Sequence, residues 1–259
     1  MISTGKIKLI RSLHQKKQRE KLGLFIIEGD KLVREFLTSN AQVVCVVAKP
    51  EWLASLPEKN LENRVELIEV ESGDLKKVSR LTSPQNALAL VRIPEHTYDT
   101  GSLKSELSIA LESVQDPGNL GTIIRIAAWY GIKNLFCSDD CVDIFNSKVI
   151  QSSMGAVLHV KTHYTDLADL LTMLRKSETA VYSASLNGES VYTTDLERGG
   201  IIIFGNESRG ITTELKKFVN KELTIPSFGE PGAGIDSLNV AMSAAIICSE
   251  FRRRQVSGQ

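Results

Sequence analysis

Three loops of this 259-residue chain share a composition that could support chemistry. Each contains glycine, an asparagine and at least one further polar or charged side chain. Amide, carboxylate and guanidinium groups can bind and orient a polar ligand, and glycine lets the main chain approach a ligand closely. We expect the loops to form one binding or catalytic site. They are QDPGNLGTIIR (115–125), FGNESRG (204–210) and IPSFGEPGAGIDSLN (225–239).

The loops do not match the common phosphate-binding or hydrolytic motifs. A dinucleotide fingerprint requires G-x-G-x-x-G after the first strand, but Gly118 and Gly121 are separated by two residues and no third glycine completes the pattern. The sequence contains no G-x4-G-K-[ST] motif, and its four histidines do not flank a nucleophile elbow. Cys137 and Cys141 form a C-x3-C pair without a second pair or a flanking histidine. We therefore expect buried free thiols rather than a metal site.

The elements around the loops predict how they are positioned. From Leu107 onward, apolar strand-like runs alternate with helical segments, which predicts an α/β domain with a mainly parallel sheet and helices on both faces. Ligands bind beyond the C-terminal ends of the strands in such sheets, and all three loops fall at that edge. The expected strands are 107–114, 132–138, 180–186, 200–206 and 222–227.

The first third of the chain predicts a separate, smaller α/β unit. A helix is expected after its first strand, with Asp30 as the N-cap, and another after its third strand. The stretch that begins at Pro94 is polar, contains glycine and lacks periodicity. The expected domains are therefore 1–94 and 107–259, joined by a linker at 95–106. The expected strands of the small unit are 23–29, 41–48, 64–71 and 85–93.

The charge is balanced overall but not along the chain. A formal net charge of zero excludes a global field that attracts nucleic acid or a membrane. Residues 1–21 contain seven lysines and arginines against one glutamate, which indicates either the solvated face of a helix or a surface that contacts RNA phosphates. In the second case Lys16, Lys17 and Arg19 are candidate RNA contacts. Because no apolar run is long enough for a membrane span or a signal core, we expect a cytoplasmic protein.

In their order and spacing, the three loops match a known pattern. NLGTIIR fits N-x-G-x3-R, FGNESRGI contains G-[NA]-E-x-x-G at a strand end, and the third loop fits I-P followed by S-L-N-V. With these motifs, residues 107–253 resemble the SpoU (TrmH) family of SPOUT RNA 2′-O-ribose methyltransferases. FIIEGDKLVREFL (25–37) resembles the L30e-like substrate-binding domain that often precedes this family's catalytic domain.

The resemblance implies a fold, a cofactor and a set of site residues. The fold would contain a deep trefoil knot, and the Gly/Pro loop at 225–239 would wrap S-adenosylmethionine. The resemblance implies no metal. Main-chain groups at five positions would bind the cofactor: Gly205, Asn206, Ile225, Pro226 and Leu238. The polar positions of the active site would be Asn119, Arg125, Glu207, Ser237 and Asn239.

Several of these residues have structural alternatives. Asn119 and Ser237 could each cap a helix, and Arg125 could form a buried ion pair with Glu207. The family's arginine is assigned the activating role, but deprotonation of an arginine at pH 7 costs roughly 7 kcal/mol. We therefore expect Arg125 to hold the RNA phosphate and to stabilise the developing alkoxide. Glu207 would orient Arg125 or Asn119.

The resemblance also implies the partners. The N-terminal segment favours ribosomal RNA over transfer RNA as the substrate, and relatives pair their knotted domains in homodimers. The alternative is a non-catalytic RNA-binding or ribosome-assembly factor that kept the fold. The segment 228–236 is longer than in typical members and adds Glu230 and Asp236. We therefore expect this loop to differ in shape or to contact the substrate, and the sequence does not name the target nucleotide.

Overall fold

The computed structural model is an α/β protein with two compact units. The first unit contains the chain up to Glu95 and a later segment, 143–158, and the second contains the remainder. All but the first residue of the expected linker at 95–106 packs within the second unit, where Leu103 is part of the core and Tyr98 packs against it. The structure describes residues 2–57, 65–230 and 237–257.

The described ranges contain ten strands and ten α-helices. The strands are β1 (Leu24–Glu28), β2 (Val43–Ala48), β3 (Glu66–Glu69), β4 (Ala87–Arg92), β5 (Leu107–Leu111), β6 (Asn134–Cys137), β7 (Lys161–Tyr164), β8 (Val181–Ser190), β9 (Gly200–Phe204) and β10 (Lys221–Thr224). The helices are α1 (Thr4–Ser12), α2 (Lys16–Leu22), α3 (Asp30–Thr38), α4 (Pro50–Ala54), α5 (Ser72–Val78), α6 (Pro117–Trp129), α7 (Ser147–Ser153), α8 (Leu167–Lys176), α9 (Thr213–Lys216) and α10 (Val240–Ser257). None of these helices is both long and apolar enough to cross a membrane.

The first unit is built on a four-stranded mixed sheet. Its strand order is β1-β4-β2-β3, in which β4 is antiparallel to both neighbours and β2 is parallel to β3. The helix after β1 begins differently from the prediction. Gly29, at a φ of 124°, occupies the N-cap position, and the carboxylate of Asp30 accepts hydrogen bonds from the main chain and side chain of Asn86 at 2.9 and 2.6 Å. Asp30 therefore ties α3 to β4 instead of capping α3.

Segment 143–158 adds α7 to the first unit. Ile150 is fully buried in the core cluster that contains Phe25, and Nε2 of Gln151 donates to the carbonyl of Glu28 at 2.6 Å. The sequence predicted a helix here but placed it in the second domain. A helical pattern shows which face is apolar, but it does not show which sheet that face covers.

The second unit is built on a fully parallel six-stranded sheet, which confirms the predicted fold class. Its strand order is β10-β8-β9-β5-β6-β7. The central strands β5 and β9 are buried along their whole length, as expected for a sheet covered on both faces. Strand β7 and helix α8 were not among the predicted elements. The buried leucines of α8 nevertheless follow helical spacing, so the signal was present: Leu167, Leu170, Leu171 and Leu174.

Helix α6 starts earlier than predicted. The sequence analysis placed residues 115–125 in a loop, whereas the helix begins at Pro117. Asp116 is its N-cap and accepts a hydrogen bond from the main-chain N–H of Asn119 at 2.8 Å. Proline suits the first helical position because its missing N–H would have had no partner there. Asn119 is therefore inside the first turn and its side chain is released for other contacts.

Candidate active site

Two of the three loops, 204–210 and 225–239, line a cavity of about 620 Å³ in the second unit, and the loop 115–125 joins them through hydrogen bonds of Asn119. This volume lies within the range of about 300–1,000 Å³ that is usual for small-molecule sites. The described wall includes the five positions predicted to bind a cofactor: Gly205, Asn206, Ile225, Pro226 and Leu238. Glu207 and Ser237 also line it, whereas Asn119, Arg125 and Asn239 do not.

The loop after β9 is closed tightly by main-chain contacts. Asn206 and Gly210 exchange two hydrogen bonds, from N to O at 3.1 Å and back at 2.8 Å. Gly205 lies directly against Gly210, so that a Cβ added at position 205 would collide with main-chain atoms of Gly210 and Ile211. Only glycine fits there, and its main chain forms part of the cavity wall.

Asn119 links the two other loops. Its Nδ2 donates to Oε1 of Glu207 at 2.6 Å, and its Oδ1 accepts from Nδ2 of Asn239 at 2.9 Å. Asn119 does not cap α6, because Asp116 does. Asn239 also accepts from the main-chain N–H of Ala241 at 2.9 Å, next to the start of α10. Three predicted active-site residues thus form one hydrogen-bonded set.

Arg125 and Ser237 stand apart from this set. Arg125 is exposed on α6, and no described residue forms a hydrogen bond or ion pair with it. The alternative of a buried Arg125–Glu207 pair is therefore not what the structure contains, since Glu207 binds Asn119. Ser237 is exposed and precedes α10 by three residues, so the capping alternative is not seen for it either. Of the extended segment 228–236, residues 231–236, including Asp236, lie outside the described residues.

The structure adds three residues that the sequence-based prediction did not single out. Asp116 caps α6, as described above. The carboxylate of Glu112 accepts hydrogen bonds from the main-chain N–H and the hydroxyl of Thr212, both at 2.7 Å. The carbonyl of Ser113 accepts from Nδ2 of Asn206 at 3.0 Å. The contacts of Glu112 and Ser113 join residues about 100 positions apart, and a single sequence contains no signal of such pairs. Asp116 is a local cap, and an aspartate directly before a proline is a signal that could have identified it.

The basic N-terminal segment forms two helices, α1 and α2, rather than one solvated helix. Ile10 and Leu13 are buried in the core of the first unit. Arg19, predicted to contact RNA, is only 4% exposed, and its guanidinium bonds to Oδ2 of Asp143 and to the carbonyl of Leu13 at 2.8 Å. This burial corrects the prediction for Arg19, because a guanidinium enclosed in this way is not available to a phosphate. Lys16 and Lys17 are exposed.

The cysteines are free and buried, as predicted. A hydrogen bond from the Cys137 thiol lowers the pKa of Cys141 to about 7, and the same contact together with burial raises the pKa of Cys137. The part of the chain that the structure describes contains no cluster of three or more His, Cys, Asp or Glu side chains that could hold a metal ion.

Comparison with known proteins places this geometry in a family. Residues 106–249 match the SpoU rRNA Methylase family, and residues 5–89 match the MRM3-like substrate binding domain. The 23S rRNA (guanosine(2553)-2′-O)-methyltransferase of Bacillus subtilis is 31% identical over 248 residues, which cover 95% of this chain and 96% of that protein.

Solved structures agree with this result. A protein of the TrmH family from Porphyromonas gingivalis is 36% identical with a TM-score of 0.88, over 98% of this chain and 99% of that chain. The AdoMet-bound rRNA methyltransferase of Sinorhizobium meliloti is 26% identical with a TM-score of 0.84, over 98% and 96% of the two chains. The family match covers more than half of the sequence and includes all three loops of the site. The chain therefore belongs to the SpoU family of RNA methyltransferases.

Proposed function

We propose that this protein transfers a methyl group from S-adenosylmethionine to a ribose 2′-hydroxyl of ribosomal RNA. RNA methylation and the cofactor follow from membership in the SpoU family. The choice of ribosomal RNA is supported by relatives whose names specify rRNA, in Bacillus subtilis and in human mitochondria. The strongest structural support is the hydrogen-bonded set of Asn119, Glu207 and Asn239 beside a ligand-sized cavity.

The cavity fits S-adenosylmethionine. At Gly205 the main chain itself lines the cavity, because a side chain would not fit there. Ile225 and Leu238 also line the cavity. Main-chain N–H and C=O groups bind the edges of an adenine or a ribose without a charged side chain. When bound, the cofactor supplies an electrophilic methyl group on a positively charged sulfur. The knotted path of the chain that the family resemblance implies is part of this proposal.

The rest of the chemistry falls to side chains of this protein. The ribose oxygen must be held in line with the methyl group and must lose a weakly acidic proton. The amide of Asn119 is fixed at both ends, by Glu207 and by Asn239. A pre-oriented amide lowers the entropic cost of placing the ribose. We therefore assign Asn119 to substrate positioning and Glu207 to the orientation of Asn119.

Arg125 is the proposed contact for the RNA phosphate beside the reacting ribose. Its side chain is exposed on α6, and none of the described residues forms a hydrogen bond with it. A guanidinium is permanently charged and forms paired hydrogen bonds with phosphate. As a general base it would require roughly 7 kcal/mol for deprotonation at pH 7. Stabilisation of the developing alkoxide, with the phosphate assisting proton removal, is the better role for it.

The first unit is the proposed RNA-binding unit. It matches the substrate-binding domain of relatives and presents basic side chains from two segments. Lys16 and Lys17 are exposed on α2, and Lys76 and Arg80 are exposed on and just after α5. Nε of Arg11 donates to a main-chain carbonyl of α5 at 2.6 Å, so α1 and α5 are neighbours. The exposed basic residues on α2 and at α5, rather than the buried Arg19, are therefore the proposed RNA contacts.

We further propose a homodimer. Trp129 on α6 and Met242 on α10 are 84% and 58% exposed, and the two helices pack against each other. Large exposed apolar side chains on adjacent helices favour a protein interface. Trp129 lies one turn after Arg125, so an interface there would place Arg125 near the partner subunit. Sedimentation at micromolar concentration should give a dimer and Trp129→Ala should weaken it; a monomeric wild type would contradict this proposal.

Methyl transfer assays test the function directly. Purified protein, labelled S-adenosylmethionine and a chelator should methylate ribosomal RNA from a strain that lacks the gene, but not ribosomal RNA from the parent strain. Transfer RNA from the same deletion strain is the matched control. Mapping of 2′-O-methylation with and without the gene identifies the nucleotide. Methylation of transfer RNA alone would overturn the proposed substrate, and failure to bind the cofactor would overturn the reaction.

The expected cytoplasmic location also belongs to this proposal.

A further inference from the structure

Glu112 is a buried carboxylate beside the site that the chemistry described so far does not use. It directly follows β5 and is only 8% exposed. Buried ionisable groups are costly unless hydrogen bonds compensate for the lost water. Among the described residues, Thr212 supplies this compensation: its N–H and its hydroxyl donate to the two carboxylate oxygens of Glu112, each at 2.7 Å.

The contacts of Glu112 lie at both ends of the loop that forms one wall of the cavity. Its main-chain N–H donates to the carbonyl of Phe204 at 2.9 Å, immediately before the loop 205–211. Its carboxylate holds Thr212, immediately after that loop. One residue therefore fixes both the entry and the exit of the segment that contains Gly205, Asn206 and Glu207.

The next residue strengthens the same connection. Ser113, at a φ of 57°, turns the chain so that its carbonyl accepts from Nδ2 of Asn206 at 3.0 Å. A positive φ is uncommon for a residue with a side chain. Residues 112 and 113 thus hold the loop at its beginning, within its length and at its end. Helix α6 begins at Pro117, four residues after Ser113. Because Glu207 bonds to Asn119 on α6, the position of the loop also sets the geometry of that pair.

We propose that Glu112 is a positioning residue that holds the loop 205–211 in its ligand-binding shape. This inference rests on the proposed role of that loop in binding S-adenosylmethionine. Thr212 is exposed, so water can satisfy its N–H and hydroxyl when the carboxylate is absent. Loss of Glu112 should therefore allow the loop 205–211 to change its shape, with little effect on the stability of the whole protein.

The test compares two substitutions at position 112. Glu112→Leu keeps the volume but removes both contacts, and it should raise the KM for S-adenosylmethionine and its calorimetric Kd about 10-fold or more. Glu112→Gln can accept from the N–H of Thr212 and donate to its hydroxyl, so it should stay within about threefold of wild type. RNA affinity and melting temperature should change little in both. Glu214→Gln, an exposed glutamate on α9, is the matched control.

Hydrogen exchange and a second position complete the test. Glu112→Leu should expose the amides of 206, 210 and 212 to faster exchange, with the core of β5 and β9 unchanged. Thr212→Val removes the hydroxyl contact but keeps the N–H contact, so it should raise the KM about threefold. It should add little in the Glu112→Leu background, where the hydroxyl contact is already lost. Thr212→Ser should behave as wild type.

Several results would overturn the inference. One is a Glu112→Leu protein with wild-type cofactor affinity and exchange rates. Another is a parallel loss of cofactor affinity, RNA affinity and melting temperature, which would make Glu112 a folding residue. Should Glu112→Leu not fold, an unchanged KM in Thr212→Val decides against the inference. A wild type that binds S-adenosylmethionine but methylates no ribosomal RNA would defeat only the proposed substrate.

Discussion

Asn119 and Glu207 are 88 residues apart in the chain, yet Nδ2 of Asn119 donates to Oε1 of Glu207 at 2.6 Å. The hydrogen bond fixes which end of the Asn119 amide is the donor, because a carboxylate only accepts. Asn239 donates to the opposite end of the same amide. The orientation of Asn119 is therefore determined by its neighbours alone, as a substrate-positioning group requires.

Replacement of Glu207 should impair turnover through Asn119. Glu207→Ala removes a charge-assisted hydrogen bond of about 1.5–3 kcal/mol, so the single-turnover rate should fall about 10- to 100-fold. Asn119→Ala should have a similar effect, and the double variant should be little worse than either single one. Single-turnover methylation at saturating cofactor measures this. Fully additive losses would show that the two residues act independently.

Arg125→Ala should lower the rate far more than it weakens ground-state binding. Loss of one donor to a developing negative charge typically costs about 100- to 1000-fold in rate. Cofactor affinity should be unchanged, because Arg125 does not line the cavity. Arg175→Ala, an exposed arginine on α8, is the control. A folded Arg125→Ala variant that methylates at a near wild-type rate would eliminate the assigned role.

Lys16→Ala with Lys17→Ala should weaken RNA binding without affecting stability. Each lost phosphate contact lowers the slope of log K against log salt concentration by about 0.9 on duplex and less on single strands. The control removes two exposed lysines elsewhere in the first unit, Lys31 and Lys148. Titrations at several salt concentrations compare the two double variants. Equal slopes would mean that α2 does not contact RNA.

Arg19→Ala should have the opposite effect, with stability lost and no direct effect on RNA contacts. Its buried guanidinium bonds to Asp143 and to a main-chain carbonyl. Removal of one partner from a buried ion pair leaves an uncompensated charge and costs about 3–5 kcal/mol. Urea unfolding should show this loss, and Asp143→Ala should show a similar one. A cost below about 1 kcal/mol would contradict the structural role.

His163 should make the protein less stable as the pH falls. Burial, followed by the nearby charges of His96 and Lys161, lowers the pKa of His163 to about 4 from its usual 6.5. The unfolded chain then binds a proton below pH 6.5 that the folded protein does not bind until about pH 4, so the free energy of unfolding decreases between those values. One group contributes up to about 1.4 kcal/mol per pH unit, or about 3 kcal/mol in total.

Comparison of His163→Gln with wild type isolates this contribution. The variant should have a flatter pH profile of unfolding free energy between pH 6.5 and 4, although loss of the stacking on Phe136 makes it less stable at pH 7. His159→Gln, at an exposed position, is the control and should keep the wild-type slope. Identical slopes in all three proteins would exclude His163 as the source.

Local patterns predicted much of the site but not its connections. The composition of the three loops predicted one site, and the resemblance to the SpoU family named Gly205, Ile225 and Leu238 within it. The structure places these three residues on one cavity wall. The pairing of Glu112 with Thr212 was missed because a glutamate after a strand has the same local sequence whether or not a partner lies 100 residues away. Hydrophobic periodicity predicts which side of a helix or strand is buried, but it does not predict which other element covers that side.

Charge counting failed at Arg19 for a related reason. Seven basic residues near the N-terminus favoured one exposed surface. One of them is paired with Asp143, which is 124 positions away in a segment that the sequence assigned to the other domain. Net charge describes a solvated chain, and it does not distinguish a lysine in water from an arginine enclosed by its counter-ion. Prediction of the pair would have required the topology first.

The placement of segment 143–158 in the first unit has a consequence for synthesis of the protein. When residue 95 leaves the ribosome, the core around Phe25 still lacks Ile150, and Arg19 lacks Asp143. The missing part emerges 158 − 95 = 63 residues later. At about 5–20 residues per second this is a delay of roughly 3 to 13 seconds. The nascent first unit must therefore wait, incomplete, while the first two of the six strands of the second unit's sheet, β5 and β6, are translated.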